Sequence, residues 1–340
     1  MEQAFFSEAS LKNPDPLKEK DPLKAQKKRV LVIAGPTASG KTKLSLSLAK
    51  AIGGEIISAD SCQVYRGMDI GTAKATSEER AFVPHHLIDI CEITELFNVA
   101  QFAERANQEI EGVIARKNVP IIVGGSGFYV HALLYGPPMG PPSDKAVREN
   151  LENQMEKLGP ELLYQKLQNL DPEYAATISD KDRHKIVRAL EIMSLSGQRV
   201  SDFPTPRSLS ERDYDFRCWF IYPNREPLYS RIELRCDEML ESGFLDEVRK
   251  LIDLGLCSNT SAAQAIGYRQ AIEFLNSSQS RADFESFKSK FKKATRHFAK
   301  RQFTWFRKEP LFRWLNTSEN SEERIKELIL QDFEQGGAST

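Results

Sequence analysis

Residues 29–52 read RVLVIAGPTASGKTKLSLSLAKAI: an apolar, β-rich run, a glycine loop, and the start of a helix. Gly35, Pro36, Thr37, Ala38, Ser39, Gly40, Lys41 and Thr42 satisfy the spacing glycine, four residues, glycine-lysine-serine/threonine. No other feature restricts the fold as tightly. Consecutive backbone N–H groups must curl around an anion at the C-terminal end of a strand, and the following helix must aim its positive end at the same place. Glycine is needed where the loop turns sharply and a ligand approaches the main chain. Lys41 is then placed to neutralise phosphate oxygens, and the Thr42 hydroxyl to ligate Mg²⁺. The expected fold is α/β, a P-loop NTPase-like parallel sheet flanked by helices.

A chain of 340 residues can build a large core and two domains. No apolar run approaches the length needed to span a bilayer, and residues 1–28 lack a secretory signal's apolar stretch. Glu8, Asp15, Glu19 and Asp21 are out of place in an organelle transit peptide. The 5 cysteines are scattered without a Cys-x-x-Cys pair, which argues for a reducing, cytoplasmic setting and against a zinc module. His85 and His86 are expected to serve structure or hydrogen bonding.

Along the chain, residues 1–28 read as a flexible, proline-punctuated extension. Strands are expected at 29–34, 54–58, 86–90 and 119–123, with a helix near 98–117, an alternation that gives a parallel sheet covered on both faces. GPPMGPPSD (136–144) is a hinge. Residues 144–200 have helical apolar spacing throughout, and 201–210 form a linker back. A strand at 216–221, helices at 225–254 and 281–308, and a last strand at 311–315 complete the pattern. The expected organisation is an N-terminal extension (1–28), a core (29–140 and 205–316), an all-helical insertion domain (141–204), and a C-terminal helix with a disordered tail (317–340).

In parallel α/β sheets, ligand groups collect at the C-terminal strand ends. The second strand delivers Asp60 and Ser61 there. Asp60 alone is consistent with a turn or helix cap, or with a carboxylate that takes a proton from an attacking acceptor. Thr72 and Lys74, after the turn at Gly71, are candidates for a second anion contact. The strand PIIVGGSG (120–127) lacks the terminal Asp with which phosphate-loop hydrolases hold Mg²⁺ and position water. It ends in paired glycines, which allow a backbone or ring to approach. Phosphates bound there suit a leaving group better than hydrolysis. Arg231 and Arg235 share a helix face; one could reach a departing pyrophosphate, or both could pair on the surface.

Between Glu285 and Glu309 there is no acidic residue, but there are Lys288, Lys290, Lys292, Lys293, Arg296, Lys300, Arg301, Arg307 and Lys308, interleaved with Phe291, Phe298, Phe303, Trp305 and Phe306. In a chain of net charge −1 this block reads as a phosphate-backbone footprint, although a solvated basic helix with core rings has the same composition. Arg183, His184, Lys185 and Arg188 form a second basic cluster on the insertion.

GPTASGKT (35–42), SADSCQVY (58–65), MDIGTAK (68–74), PHHLID (84–89), VGGSGFY (123–129), IGYRQ (266–270) and AKRQFTWFR (299–307) occur in the order found in tRNA dimethylallyltransferases, which the chain resembles from about residue 29 to 316. The resemblance implies transfer of a dimethylallyl group from dimethylallyl diphosphate to N6 of the adenosine just 3′ of the anticodon (tRNA position 37), in tRNAs reading codons that begin with U. By the same resemblance the loop Gly35 to Thr42 holds the prenyl diphosphate with Mg²⁺ as cofactor, Asp60 is the general base, and Arg235 neutralises pyrophosphate. It further implies a surface for the tRNA anticodon stem-loop made of Asp60, Ser61, Cys62, Gln63, Ser126, Arg148, His184, Lys185, Ile186, Val187, Arg188, Gln264, Gly267, Tyr268, Arg269, Lys300, Arg301, Gln302, Phe303, Thr304, Trp305, Phe306 and Arg307. Ser126 stands where the family usually has Thr, and Phe128 where it often has Leu. The chain has no Cys/His set for the C-terminal zinc finger of eukaryotic relatives, which fits a bacterial-type enzyme acting as a monomer. A phosphate-loop small-molecule kinase and an isopentenyltransferase acting on free adenylate are the alternatives; the second leaves the basic helix and the insertion without a task.

Overall fold

Val30, Leu31, Val32, Ile33 and Ala34 are all buried, because the strand they form lies in the middle of a parallel sheet covered on both faces. The computed structural model describes residues 28–204 and 214–335. The expected extension up to residue 27, most of the linker and the terminal GGAST lie outside the described residues. The strands are β1 (Lys28–Ala34), β2 (Gly54–Ser58), β3 (His85–His86), β4 (Val119–Gly124), β5 (Tyr214–Tyr222) and β6 (Arg313–Asn316). They form one sheet in the order β3-β2-β4-β1-β5-β6, and every pairing is parallel. The helices are α1 (Lys41–Ile52), α2 (Ser77–Phe82), α3 (Val99–Ala115), α4 (Gly127–Tyr135), α5 (Lys145–Leu170), α6 (Pro172–Ala175), α7 (Arg183–Ser196), α8 (Arg225–Glu241), α9 (Phe244–Asp253), α10 (Thr260–Ala263), α11 (Tyr268–Leu275), α12 (Arg281–Phe306) and α13 (Glu322–Gln335).

Strand alternation divides the core in two. Val30, Val32 and Ala34 face a large cluster shared with α3, α4, α8, α9, α11 and α12, while Leu31 and Ile33 face a smaller one under α1 and α13. From β1 the chain passes to β2 on one side of the sheet and returns to β5 on the other, so the crevice at the C-terminal end of β1 is the switch point where α/β sheets take ligands.

Several boundaries differ from expectation for local reasons. The strand expected at 86–90 stops after His86, because Leu87 and Asp89 adopt left-handed φ of 60° and 56°. That turn aims the Asp89 carboxylate at Lys74 and Arg80. The helix expected over 225–254 is two helices, parted at Gly243 with φ 93°. The expected C-terminal appendage is part of the core: Ile325, Ile329 and Phe333 of α13 are buried beside Leu31 and Trp219, each worth roughly 1.5–3 kcal/mol by burial.

The insertion has its own apolar cluster, with Leu151, Met155, Leu163 and Leu167 of α5 against Ile186 and Leu190 of α7. It is helical but not continuous; α5 breaks at Gly159, with φ 81°, ahead of Pro160. Residues 136–144 form neither helix nor strand. The fully buried carboxylate of Glu191 ties this segment to the insertion, accepting from Ser143 Oγ, the Asp144 N–H, Arg148 Nη2 and Arg188 Nη1. Arg188 also donates to the Pro141 carbonyl at 2.6 Å.

Candidate active site

The phosphate loop is shaped by its backbone. Ala38 (φ 62°) and Gly40 (φ 91°) sit in the left-handed region, which turns successive N–H groups inward to make an anion cradle at the head of α1. A Cβ on Gly35 would collide with the Ile221 carbonyl at the end of β5, so only glycine lets the loop leave the sheet there. Ser39 Oγ is buried with no hydrogen-bond partner among the described residues, and the exposed Thr42 opens α1 beside it. An orphaned hydroxyl and a free hydroxyl at a helix N-terminus suit a diphosphate and its magnesium.

Lys41 Nζ donates to the Gly35 and Pro36 carbonyls at 2.9 and 2.7 Å, folding back over the loop. Burial, reinforced by Arg235, lowers its pKa to about 7, while Asp60 opposes the shift. Arg235 lies 3.5 Å from Thr37 Oγ1, and burial likewise disfavours its charged form. Burial thus costs both cations, and Arg235 adds to the cost of charging Lys41, a field that an anion would relieve. A diphosphate bound in this cradle would recharge Lys41. At about pH 8 the free lysine is mostly neutral and an organic diphosphate is already fully ionised, so binding takes up to about one proton. Affinity then falls as pH rises above about 7. Calorimetry in buffers of different ionisation enthalpy measures the uptake; a buffer-independent heat would contradict it.

Asp60 follows β2. Its Oδ1 accepts from the backbone N–H of Cys62 at 2.8 Å and of Gln63 at 3.3 Å. The turn-cap reading of Asp60 is therefore realised, but the carboxylate also lines a cavity of about 420 Å³ together with Thr37, Lys41, Thr42, Arg235 and Arg301. Across the same cavity the Ser126 hydroxyl accepts from the Ser61 N–H at 3.2 Å. Burial raises the Cys62 thiol to about 12, so it stays protonated and is no nucleophile. Arg231, one turn before Arg235, is exposed. Of the two arginines, the structure brings only Arg235 to the loop.

The paired glycines after β4 serve close packing. A methyl on Gly124 would overlap the Ala59 carbonyl, one on Gly125 would overlap the Gln302 amide, and one on Gly127 would overlap the Trp305 ring. Helix α12 is thereby seated directly on the strand end.

Of the other sequence-derived candidates, Cys62, Gln63, Gln264, Tyr268, Arg301 and Gln302 also line the cavity. His184, Lys185, Arg269, Lys300, Thr304, Trp305 and Arg307 are exposed outside it. Some do not present a surface. Ile186 and Val187 are in the insertion's core; Gly267, Tyr268 and Phe306 are buried, and Phe303 packs partly buried against Phe220 and Trp314. Their side chains hold the backbone of those segments in place. Arg148 and Arg188 are committed to Glu191. Lys74 is not an anion contact: its Nζ is buried between the Tyr65 carbonyl, Asp69 and Asp89, at 2.8, 2.5 and 2.6 Å. On α12, Lys288 and Lys292 pair with Asp237, and Arg296 with Glu233. Among the described residues, Lys290, Lys293, Lys300, Arg301, Arg307 and Lys308 carry no ion pair, so the free charge gathers toward the C-terminal half of α12, where Arg301 meets the cavity.

Two acids were missed by sequence reasoning. Glu247 fills a backbone nest, accepting from the N–H groups of Asp69, Ile70 and Gly71 at 3.0, 2.6 and 3.1 Å and from the Tyr268 hydroxyl at 2.6 Å. The loop read as an anion site thus takes an internal carboxylate as its anion. Glu191 was visible as a lone acid in the apolar face IVRALEIM of α7; Glu247, on an amphipathic helix, gave no such signal.

Comparison with known proteins finds relatives along most of the chain. The sequence profile described as IPP transferase matches residues 63–309. A tRNA dimethylallyltransferase of Protochlamydia amoebophila (strain UWE25) is 58% identical over 308 residues, covering 91% of this chain and 90% of that protein. The crystal structure of a full-length tRNA isopentenylpyrophosphate transferase from Bacillus halodurans superposes with a TM-score of 0.66 at 38% identity, covering 91% of this chain and 98% of that one. A eukaryotic dimethylallyltransferase captured acting on tRNA gives a TM-score of 0.72 at 26% identity, over 91% of this chain and 80% of that one.

Proposed function

The chain belongs to the IPP transferase family, and from that premise we propose that it transfers a dimethylallyl group from dimethylallyl diphosphate to N6 of the adenosine 3′ of the anticodon in tRNA. The observation that carries this reading is the joining, in one cavity, of a phosphate loop, two charge-strained cations and the carboxylate of Asp60, with the unpaired cations of α12 at its side.

The reaction is a displacement. The adenine amine forms a bond to the allylic carbon as the carbon–oxygen bond to diphosphate breaks, and pyrophosphate leaves with the electron pair. Asp60 accepts the proton from the amine, with its Oδ1 already oriented by the Cys62 and Gln63 N–H groups. Lys41, Arg235 and the loop N–H groups stabilise charge growing on the leaving group. Mg²⁺, held by Thr42 and the diphosphate, would supply further neutralisation there. An exocyclic purine amine is a weak nucleophile, so orientation and leaving-group stabilisation provide most of the rate. The base must leave its stack to enter the cavity.

The tRNA surface is assigned to the exposed cations Lys300, Arg301 and Arg307, with exposed His184 and Lys185 of the insertion, residues 141–204, as a second contact. A cytoplasmic enzyme acting as a monomer satisfies this arrangement, since one chain supplies every group; no helix among the described residues is long and apolar enough to cross a membrane. Changing Lys300, Arg301 and Arg307 together to Gln should weaken tRNA binding and flatten its salt dependence by roughly 0.7–0.9 per lost phosphate contact in log–log slope. An unaltered slope in filter-binding titrations would remove α12 from the footprint. The reaction itself is tested by nucleoside mass spectrometry of unmodified tRNA incubated with the protein, Mg²⁺ and dimethylallyl diphosphate. Prenylated adenosine in the anticodon-loop fragment is expected; unmodified adenosine, with γ-phosphate transfer from ATP instead, would overturn the reading.

A further inference from the structure

Gln302 lies on α12 between two residues suited to meet a nucleic acid, Arg301 and, one turn on, Trp305, yet it is itself buried, with 5% of its surface exposed. Its Oε1 accepts from the Thr37 N–H of the phosphate loop at 2.9 Å, and its Nε2 donates to the Gly125 carbonyl after β4 at 3.0 Å. The partners fix the orientation of the amide, because a backbone N–H can only donate and a carbonyl can only accept. Of the side chains of this size, a neutral amide makes both bonds without first taking up a proton. The contact has been given room: a Cβ on Gly125 would occupy the space of the Gln302 amide, so the glycine and the glutamine form one fitted joint. The same Thr37 carries the hydroxyl facing Arg235. One side chain therefore spans the loop that grips diphosphate, the strand end beside the acceptor pocket, and the helix bearing the unpaired cations.

We infer that Gln302 is a positioning residue, which sets the phosphate loop against α12 so that the diphosphate is held in register with the RNA on that helix. The inference rests on the reading above, and it reassigns Gln302 from the RNA surface to the diphosphate half of the site. It also makes binding cooperative. RNA seated on α12 fixes the helix that fixes Thr37, and diphosphate on the loop returns the same coupling to the RNA.

The test uses the full chain with Gln302→Met, which keeps the volume and removes both bonds, and Gln302→Glu, which keeps the acceptor but turns a second oxygen on the Gly125 carbonyl. Binding of Mg²⁺-pyrophosphate is titrated alone and with an anticodon stem-loop RNA, RNA binding is titrated alone, and thermal unfolding is recorded. Loss of both buried hydrogen bonds in Gln302→Met, and of the Gly125 bond with an oxygen set against that carbonyl in Gln302→Glu, should weaken pyrophosphate binding about tenfold in each variant and remove the gain that RNA gives the wild type, with RNA affinity alone within about twofold. Three results overturn the inference: weakened RNA affinity with unchanged pyrophosphate affinity, which marks a direct RNA contact; a lowered melting temperature with both affinities unchanged, which marks a purely structural bond; and absence of any RNA effect on pyrophosphate binding in the wild type. Because pyrophosphate is itself the probe, a protein that fails to prenylate tRNA would refute the proposed function while still reporting on Gln302.

Discussion

Asp60→Asn should lower the turnover of tRNA prenylation by about 10²–10⁴-fold while leaving tRNA affinity within a factor of about three. Asparagine is the informative substitution, because its amide oxygen still accepts from the Cys62 and Gln63 N–H groups and so preserves the turn. What it cannot do is take a proton from the adenine amine. Alanine would remove cap and base together, confounding the chemical loss with a cap worth about 1 kcal/mol. Single-turnover rates with saturating prenyl diphosphate separate the two roles. Near wild-type turnover in Asp60→Asn would reduce Asp60 to the turn cap that its Oδ1 already is.

Arg235→Met should lower turnover by about 10²–10³-fold, the range for losing one oriented donor to developing negative charge. The same change should leave the melting temperature of the free protein no lower than wild type. Burial outweighs the favourable field of Asp60 at the Arg235 cation, so the unliganded protein holds this charge against its own stability. Loss of activity without loss of stability is the mark of a group kept for its ligand. Arg231→Met is the matched control on the exposed side of α8 and should be neutral in both assays. Equal losses in the two variants would mean that surface charge matters and the cavity position does not.

The parts of the fold legible in the sequence were those with local, redundant signals. The loop from Gly35 to Thr42 carries its geometry in residue types, and β1, β2 and β4 are apolar enough to read as central strands. The alternation of strand and helix gave the parallel sheet. Long-range requirements were not legible. The strand at 86–90 has strand-like composition, but Asp89 turns away to satisfy Lys74, which sits fifteen residues earlier and looked like an anion contact. The basic block of α12 was recognised, yet which cations are free depends on Asp237 and Glu233 of a different helix. Strand-edge position points to Asp60 and resemblance to Arg235, and tertiary structure brings both to one cavity. The resemblance around Gln302 implies a tRNA contact and says nothing of its bonds to Thr37 and Gly125, because a buried amide between two backbone groups leaves no periodicity to read.

A structure of the protein with Mg²⁺, an unreactive thiolo-diphosphate analogue of the prenyl donor, and an anticodon stem-loop RNA tests the account most directly. It should show the diphosphate on the N–H groups of the loop between Thr37 and Thr42, and the flipped adenine with its amine about 3 Å from the Asp60 carboxylate. Diphosphate bound away from that loop, or an adenine still stacked in the RNA with Asp60 engaged only by Cys62 and Gln63, would contradict it.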